Sequence, residues 1–262
     1  MVERLLARGD RVAATLRRTD ALADLQTQYG DALRVFVLDV TDVVQMRTAV
    51  KQAFERLDRI DVAVSNAGYG LFGAGEEASD AQIDRQIATN LTGSIQFIRA
   101  LLPRMRAQGG GRIVQVSSEG GQVAYPNFSL YHATKWGIEG FIQSVSQEVA
   151  PFNIDFLIAE PGPTATNFAA GMDNAQTMDA YDQTPAGDVR RAVRSGTFAI
   201  RGDAGKTVDA IIAAADSKTP PLRLALGSNA YMTIGKALTE RLSILERYKD
   251  ITLSVDANEL KD

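Results

Sequence analysis

Cysteine is absent from this chain, and histidine occurs once, at His132. Without a thiol there is no disulfide framework and no thiolate nucleophile. A lone imidazole has no partners for a His-centred triad or metal cluster. No metal site is therefore expected, and His132 is assigned a surface or packing role. Long apolar runs are also missing: the run Ile211–Ala215 is far too short to span a bilayer. The opening MVERLLARGDR is too charged for the core of a secretory signal. The net charge of −4 offers no basic face for nucleic acid. Together these absences point to a cytoplasmic protein with neither a membrane nor a nucleic-acid partner.

What is present is ordinary globular material, with 45% hydrophobic and 23% charged residues in 262. Short apolar runs at 12–16, 33–38, 61–65, 112–116, 154–158 and 222–226 read as strands. Amphipathic stretches at 43–57, 80–105, 129–149, 203–215 and 236–248 read as helices. Gly9 reads as a helix C-cap and Pro151 as a helix stop. Strand and helix in alternation, with strands as evenly apolar as IVQV and IDFLI, predict a single-domain α/β fold. Its form would be a Rossmann-like, doubly wound parallel sheet buried on both faces. The less periodic stretch 164–202 is expected to be a substrate-binding lid within that domain.

Tyr131 and Lys135 stand four apart in one of the predicted helices, which puts them on one face with β-carbons about 5–6 Å apart. Ser129 is placed to cap that helix. A phenol titrates near pH 10 in isolation, and a neighbouring ammonium lowers that value, so the pair can move a proton to or from a carbonyl oxygen. Such a pair alone also fits a helix with an exposed lysine. Its surroundings are more specific: strand IVQV runs into Ser117 and Ser118, then Gly120 and Gly121.

The run GRIVQVSSEGGQVAYPNFSLYHATKWGIEGF resembles the catalytic core of the classical short-chain dehydrogenase/reductase family. The resemblance extends from about residue 4 to 230. It implies an NADP(H)-dependent oxidoreductase interconverting a small-molecule carbonyl and an alcohol. The family's serine lies thirteen residues before its tyrosine, which selects Ser118 for the substrate carbonyl and leaves Ser117 structural. Tyr131 becomes the acid, and Lys135 the group that tunes it and grips the cofactor ribose. Asn90, in ATNLTG, becomes the support of a proton relay to the lysine; read without the family, it is a polar residue inside a helix. The resemblance further implies a homodimer or homotetramer.

The cofactor positions follow in the same way. SNAG resembles the family's N-N-A-G, so Asn66, Ala67 and Gly68 are expected beside the cofactor. Asp39 matches the family's adenine-contacting aspartate, and is alternatively a helix N-terminal residue paired with Thr41. Pro161 and Gly162 match the turn beside the nicotinamide, with Thr164 and Thr166 also expected at the cofactor. Strand 12–16 ends in Arg17 and Arg18 where an acid would select NAD. Arg17 therefore favours the 2′-phosphate of NADP(H), the alternative being a solvated arginine pair. Gly68, Gly70 and Gly73 spell G-x-G-x-x-G, but the next helix is expected only near Ser79, so this is read as a turn and substrate loop. Gly205-Lys206-Thr207 lacks the first glycine of a P-loop.

The family's first strand and T-G-x-x-x-G-x-G loop have no counterpart before residue 12. Either the coding sequence starts upstream of Met1, or the chain is a non-catalytic binding or regulatory relative that has lost its cofactor. On the first reading, in-frame DNA upstream encodes about twenty to thirty residues forming an apolar strand and a glycine-rich turn.

Overall fold

Apolar runs that alternate with helices dictate the architecture, and the computed structural model describes it for residues 1–257. In chain order the elements begin with α1 (Val2–Arg8), β1 (Val12–Leu16), α2 (Ala23–Tyr29), β2 (Leu33–Val37), α3 (Val43–Leu57), β3 (Val62–Ser65) and β4 (Leu71–Phe72). They continue with α4 (Asp80–Ile87), α5 (Gly93–Ala107), β5 (Gly111–Val116), α6 (Ser129–Val149), β6 (Ile154–Pro161), β7 (Thr164–Ala165) and β8 (Asp173–Asn174). Then come α7 (Pro185–Arg194), β9 (Gly202–Asp203), α8 (Ala204–Asp216), β10 (Arg223–Leu226), α9 (Ser228–Arg247) and α10 (Lys249–Leu253). Residues 258–262, inside the predicted domain span, lie outside the described residues.

All strand pairings are parallel. Four strands order as β10-β6-β5-β3, and β1 pairs with β2 as a separate ribbon. Among the described residues no strand is hydrogen-bonded between β1 and β3. A cavity of about 70 Å³ lies against β3, lined by Met1, Leu5, Val62, Val64, Val114 and Ile211 among others. The doubly wound, Rossmann-like α/β fold predicted from the alternation is therefore present as a single domain whose sheet is in two pieces.

Alternation along each strand divides the core between the two faces. Ile113, Phe156 and Ile158 join α3, α5 and α6 through Val50, Ile98, Leu101, Ile138 and Ile142. Val114, Leu157 and Ala159 point to the opposite face, against Ile211 and Ala215 of α8. Leu6, Val12, Ala14 and Leu33 form a smaller core under the ribbon. Because every strand of the parallel sheet points the same way, their carboxyl ends share one edge, where α/β folds place ligands.

Several boundaries agree with the sequence reading. Gly9 caps α1 with φ 96°, in the left-handed region that glycine tolerates. Ser79 opens α4 with a complete capping box to Gln82. Four expectations need correction. The single helix predicted over 80–105 is broken at Ala88–Thr92 by a π-helical turn. Ser129 lies inside α6 rather than capping it, and the cap position, Phe128, makes no side-chain bond. The helix expected from 236 begins at Ser228, just after Gly227, whose positive φ ends β10. The stretch 164–202 is no irregular loop, since it carries α7 and short strands: β8 pairs with β4, and β7 with β9.

Candidate functional site

The carboxyl end of β5 runs directly into Ser117 and Ser118, and α6 returns across that strand end. A tight Glu119–Gly121 turn lets the two meet. A side chain at Gly121 would overlap the Glu139 carboxyl, with a Cβ 1.8 Å from its oxygen, and one at Gly120 would press on the His132 ring at 2.7 Å. The glycine pair thus brings the serine loop against α6. Ser118 is half-buried, and its hydroxyl accepts the Gly120 N–H at 3.1 Å.

Tyr131 and Lys135 lie on the same face of α6, with Nζ 5.6 Å from the phenol ring centroid. The ammonium is buried at 6% exposure and donates to the Val116 carbonyl at 2.9 Å. Burial lowers its pKa to about 8, against the pull of Glu139. For Tyr131 the sequence-based expectation of a lowered pKa fails. Burial pushes the phenol up to about 12; Glu119 and Glu139 push the same way, and only the neighbouring Ser118 hydroxyl opposes them. Desolvation disfavours the phenolate more than the chain's own groups favour it, so at neutral pH Tyr131 is a protonated phenol.

Asn90 sits in the π turn between α4 and α5, 2% exposed. Its Oδ1 accepts the Tyr69 N–H at 3.0 Å, and its Nδ2 donates to the Tyr69 carbonyl at 2.8 Å. A third, weak bond runs from Nδ2 to Thr134 Oγ1 at 3.4 Å, one residue from Lys135. The side chain therefore clamps the loop after β3, and its bonds go to Tyr69 and Thr134, not to Lys135. Its amide also lies close to Gly68, where a Cβ would approach Oδ1 to 3.2 Å. Asn66, Ala67 and Gly68 are exposed at the β3 carboxyl end.

The remaining cofactor candidates occupy the same edge. Arg17 and Arg18 are exposed just beyond β1. Asp39, beyond β2, takes the Thr41 N–H and hydroxyl at 2.9 and 2.7 Å, which hold its carboxyl below the usual range. The pairing with Thr41 foreseen as the alternative is thus real, and Asp39 remains at the edge. Pro161 ends β6, and Gly162 donates to the Leu226 carbonyl at 3.0 Å. Thr164 Oγ1 donates to the Gly162 carbonyl at 2.8 Å, bracing that turn. Thr166 is exposed, and its hydroxyl accepts the Phe168 N–H at 3.2 Å.

The segment after the turn folds back over Tyr131. Phe168 meets the Tyr131 ring edge-to-face at 5.6 Å, and Phe168 and Met172 fill the space where Gly70 has no side chain. Ala175 does the same at Gly73. These glycines make room for the covering segment. Gly205-Lys206-Thr207 is the first turn of α8, capped by Asp203. Buried Glu77 anchors the cover. Burial alone would raise its pKa, but the Met178 and Ala74 N–H groups and Arg190 hold it below the usual range.

Sequence reasoning missed the buried acids behind the site. Glu139 and Glu160, each 1% exposed, share Arg223, and Ser117 donates to Glu139. Ser117 is thus held away from the role assigned to Ser118. Glu119, 2% exposed, accepts from Tyr125, Asn229 and Thr233, tying the serine loop to α9. The glycine pair was the available signal, because adjacent glycines facing a helix leave room for something large. No cluster of potential metal ligands occurs among the described residues, and none of their helices is long and apolar enough to cross a membrane.

Comparison with known proteins places this geometry. The short chain dehydrogenase family model matches residues 1–177. The chain is 34% identical to an oxidoreductase of Botryotinia fuckeliana, BOA17, over 97% of this chain and 93% of that protein. It is 31% identical to the oxidoreductase calM of Penicillium decumbens, over 97% and 86%. A short-chain dehydrogenase structure from Streptomyces avermitilis superposes with TM-score 0.89 at 36% identity, covering 97% of this chain and 92% of that one. A Burkholderia cenocepacia short chain dehydrogenase in complex with NADP matches with TM-score 0.73 at 22% identity, over 94% and 90%. This chain belongs to the short-chain dehydrogenase family, whose members are oxidoreductases.

His132 gives the site's surroundings a pH signature. Its ring is 5% exposed, accepts the Tyr125 N–H and packs edge-on to Tyr125; burial lowers its pKa from 6.5 to about 4. Between those values the unfolded chain binds the extra proton, so stability falls as pH drops from 6.5 toward 4. The term amounts to about 3 kcal/mol at full titration. Chemical denaturation at both pH values should show His132→Gln losing less stability than the parent; equal losses would mean that His132 is not held neutral.

Proposed function

We propose that this protein is an NADP(H)-dependent oxidoreductase that interconverts a carbonyl and an alcohol. The observation that carries the reading is the convergence of Ser118, Tyr131 and Lys135 at the carboxyl end of β5, with the phenol protonated at neutral pH. The carbon-bound hydride is supplied by the nicotinamide cofactor when it is bound.

The chain's own residues do the rest. The Ser118 hydroxyl hydrogen-bonds the substrate oxygen and helps hold the charge that develops there. Tyr131 delivers its hydroxyl proton to the same oxygen. Lys135 lies beside the ring at 5.6 Å, where its charge stabilises the phenolate left behind and where it can hold the cofactor ribose. The Asn90 clamp on Tyr69 keeps the β3 end open beside this centre and positions the π turn from which a water relay to Lys135 would run. Phe168, with Met172 behind it, closes the 164–202 cover over Tyr131, excluding water and favouring an apolar substrate body. Farther along the cover, Tyr181 donates to Glu76.

The residues present fit such a cofactor along one edge. Asn66, Ala67 and Gly68 leave the β3 end uncovered, and Gly162 lets its turn pass close to Ala230 N and Glu119, each 3.2 Å from where a Cβ would lie. Tyr131, Lys135, Pro161, Gly162, Thr164 and Thr166 would hold the nicotinamide end, and Asp39 the adenine end. Preference for NADP(H) rests on Arg17, an exposed cation at the β1 end where a 2′-phosphate would lie. The NADP-bound Burkholderia protein shares the fold alone. A chain without thiols suits the reducing cytoplasm, where we place it.

Replacing Tyr131 with Phe removes the proton donor while keeping the ring. Turnover with NADPH and apolar ketones should fall about 10²–10⁴-fold, with NADPH fluorescence on binding retained. A variant keeping most of its activity would remove Tyr131 from the chemistry. In a separate comparison, Arg17→Asp should weaken NADPH binding relative to NADH. A parent that already prefers NADH would show that Arg17 is a solvated surface residue.

A further inference from the structure

The first half of α9 is rooted in the body. Ala230 and Ile234 are buried against Val123, and Asn229 and Thr233 bind Glu119. Beyond Ala237 the helix leaves the body: every described residue from Leu238 to Ala257 is exposed. An isolated helical stretch of this length is marginal in water, yet this one displays large apolar side chains. Leu238, Leu242, Ile244, Leu245, Tyr248, Ile251 and Leu253 are each at least half exposed, and Tyr231 and Val255 reach 78% and 82%.

The pattern is directional. Tyr231, Leu238, Leu242 and Leu245 fall at i, i+7, i+11 and i+14, a single stripe on a helix of 3.6 residues per turn. Lys236, Glu240, Ser243 and Arg247 lie on the opposite side. Trp136 of α6, 42% exposed, stacks under Arg241 at 5.1 Å, so the apolar surface continues from α9 onto the body. The four stripe side chains together expose roughly 450 Å², in the upper half of the about 300–600 Å² found for the largest apolar patch of an ordinary monomer, and Trp136 extends that surface.

Charge decides between occupants. From Lys236 to Asp256 the cations Lys236, Arg241, Arg247 and Lys249 are matched by Glu240, Glu246, Asp250 and Asp256. A helix that lies on anionic lipid needs a basic excess on its polar face, and this one is neutral. A neutral segment of mixed charge meets its own copy without net repulsion, and an isologous pairing places the same stripe on both sides. We infer that the stripe Tyr231–Leu238–Leu242–Leu245 on α9 is a self-association surface, which pairs with the same helix of a second copy of this chain.

The absence of cysteine makes the test clean, because one introduced thiol is the only thiol. Leu242→Cys at micromolar concentration should give a covalent dimer with a short bis-maleimide, and exposed Lys218→Cys, on the loop before β10, should not. The triple variant Leu238→Glu, Leu242→Glu, Leu245→Glu should keep its far-UV circular dichroism and sediment at half the parent's mass. A monomeric parent, equal cross-linking at the two cysteines, or an unchanged mass in the triple variant would each overturn the pairing. Binding of the parent to phosphatidylserine vesicles that the triple variant loses, without cross-linking in their absence, would overturn it in favour of a lipid surface.

Discussion

A lysine ammonium almost wholly out of water is the constraint around which the site is built. Lys135 is expensive to bury as a cation, and the chain offsets this with the Val116 carbonyl, the face of the Tyr131 ring and the field of Glu139. Each partner comes from a different requirement of the fold. Val116 is the last residue of β5, Tyr131 lies one turn earlier on α6, and Glu139 lies one turn later. Moving α6 away from the strand end would strand the charge, so the packing of the helix and the chemistry of the site are one problem.

Behind the lysine, the close approach of serine loop and helix has its own polar support. Glu139 and Glu160 lie buried together, and Arg223 reaches both. Breaking such a group by removing one partner is more damaging than replacing all of it. Burial above all, then the charges of Glu119 and Glu139, make the phenolate of Tyr131 unfavourable. A site that carries buried carboxylates on the far side of its tyrosine keeps that tyrosine in the acid form, as a proton donor requires.

The spacing of Ser118, Tyr131 and Lys135 was legible because helical and strand geometry are local: a tyrosine and lysine four apart, and a serine just past an apolar strand, need no tertiary knowledge. Strand and helix alternation gave the fold class for the same reason. The π turn at Ala88–Thr92 was not legible, since ATNLTG keeps helical periodicity and the extra residue answers to Tyr69, distant in sequence. α7 was hidden by its polar composition and declared only by Thr184 and Pro185 at its start. The direction of the Tyr131 shift was misjudged because sequence reveals the adjacent ammonium but not the desolvation or the acids across the turn. The start of α9 was missed because Ser228–Gly235 lacks apolar periodicity, although Ala230 and Ile234 are its anchors.

The protonation state of one phenol decides what this site can do. Tyrosine labelled with ¹³C at Cζ, with the Tyr131 signal assigned by its loss in Tyr131→Phe, reports that state directly in the unliganded protein. The signal should stay at the phenol position from neutral pH to beyond pH 10 and move only toward about 12. A phenolate signal already present between pH 7 and 8 would contradict a site built to hold Tyr131 as an acid.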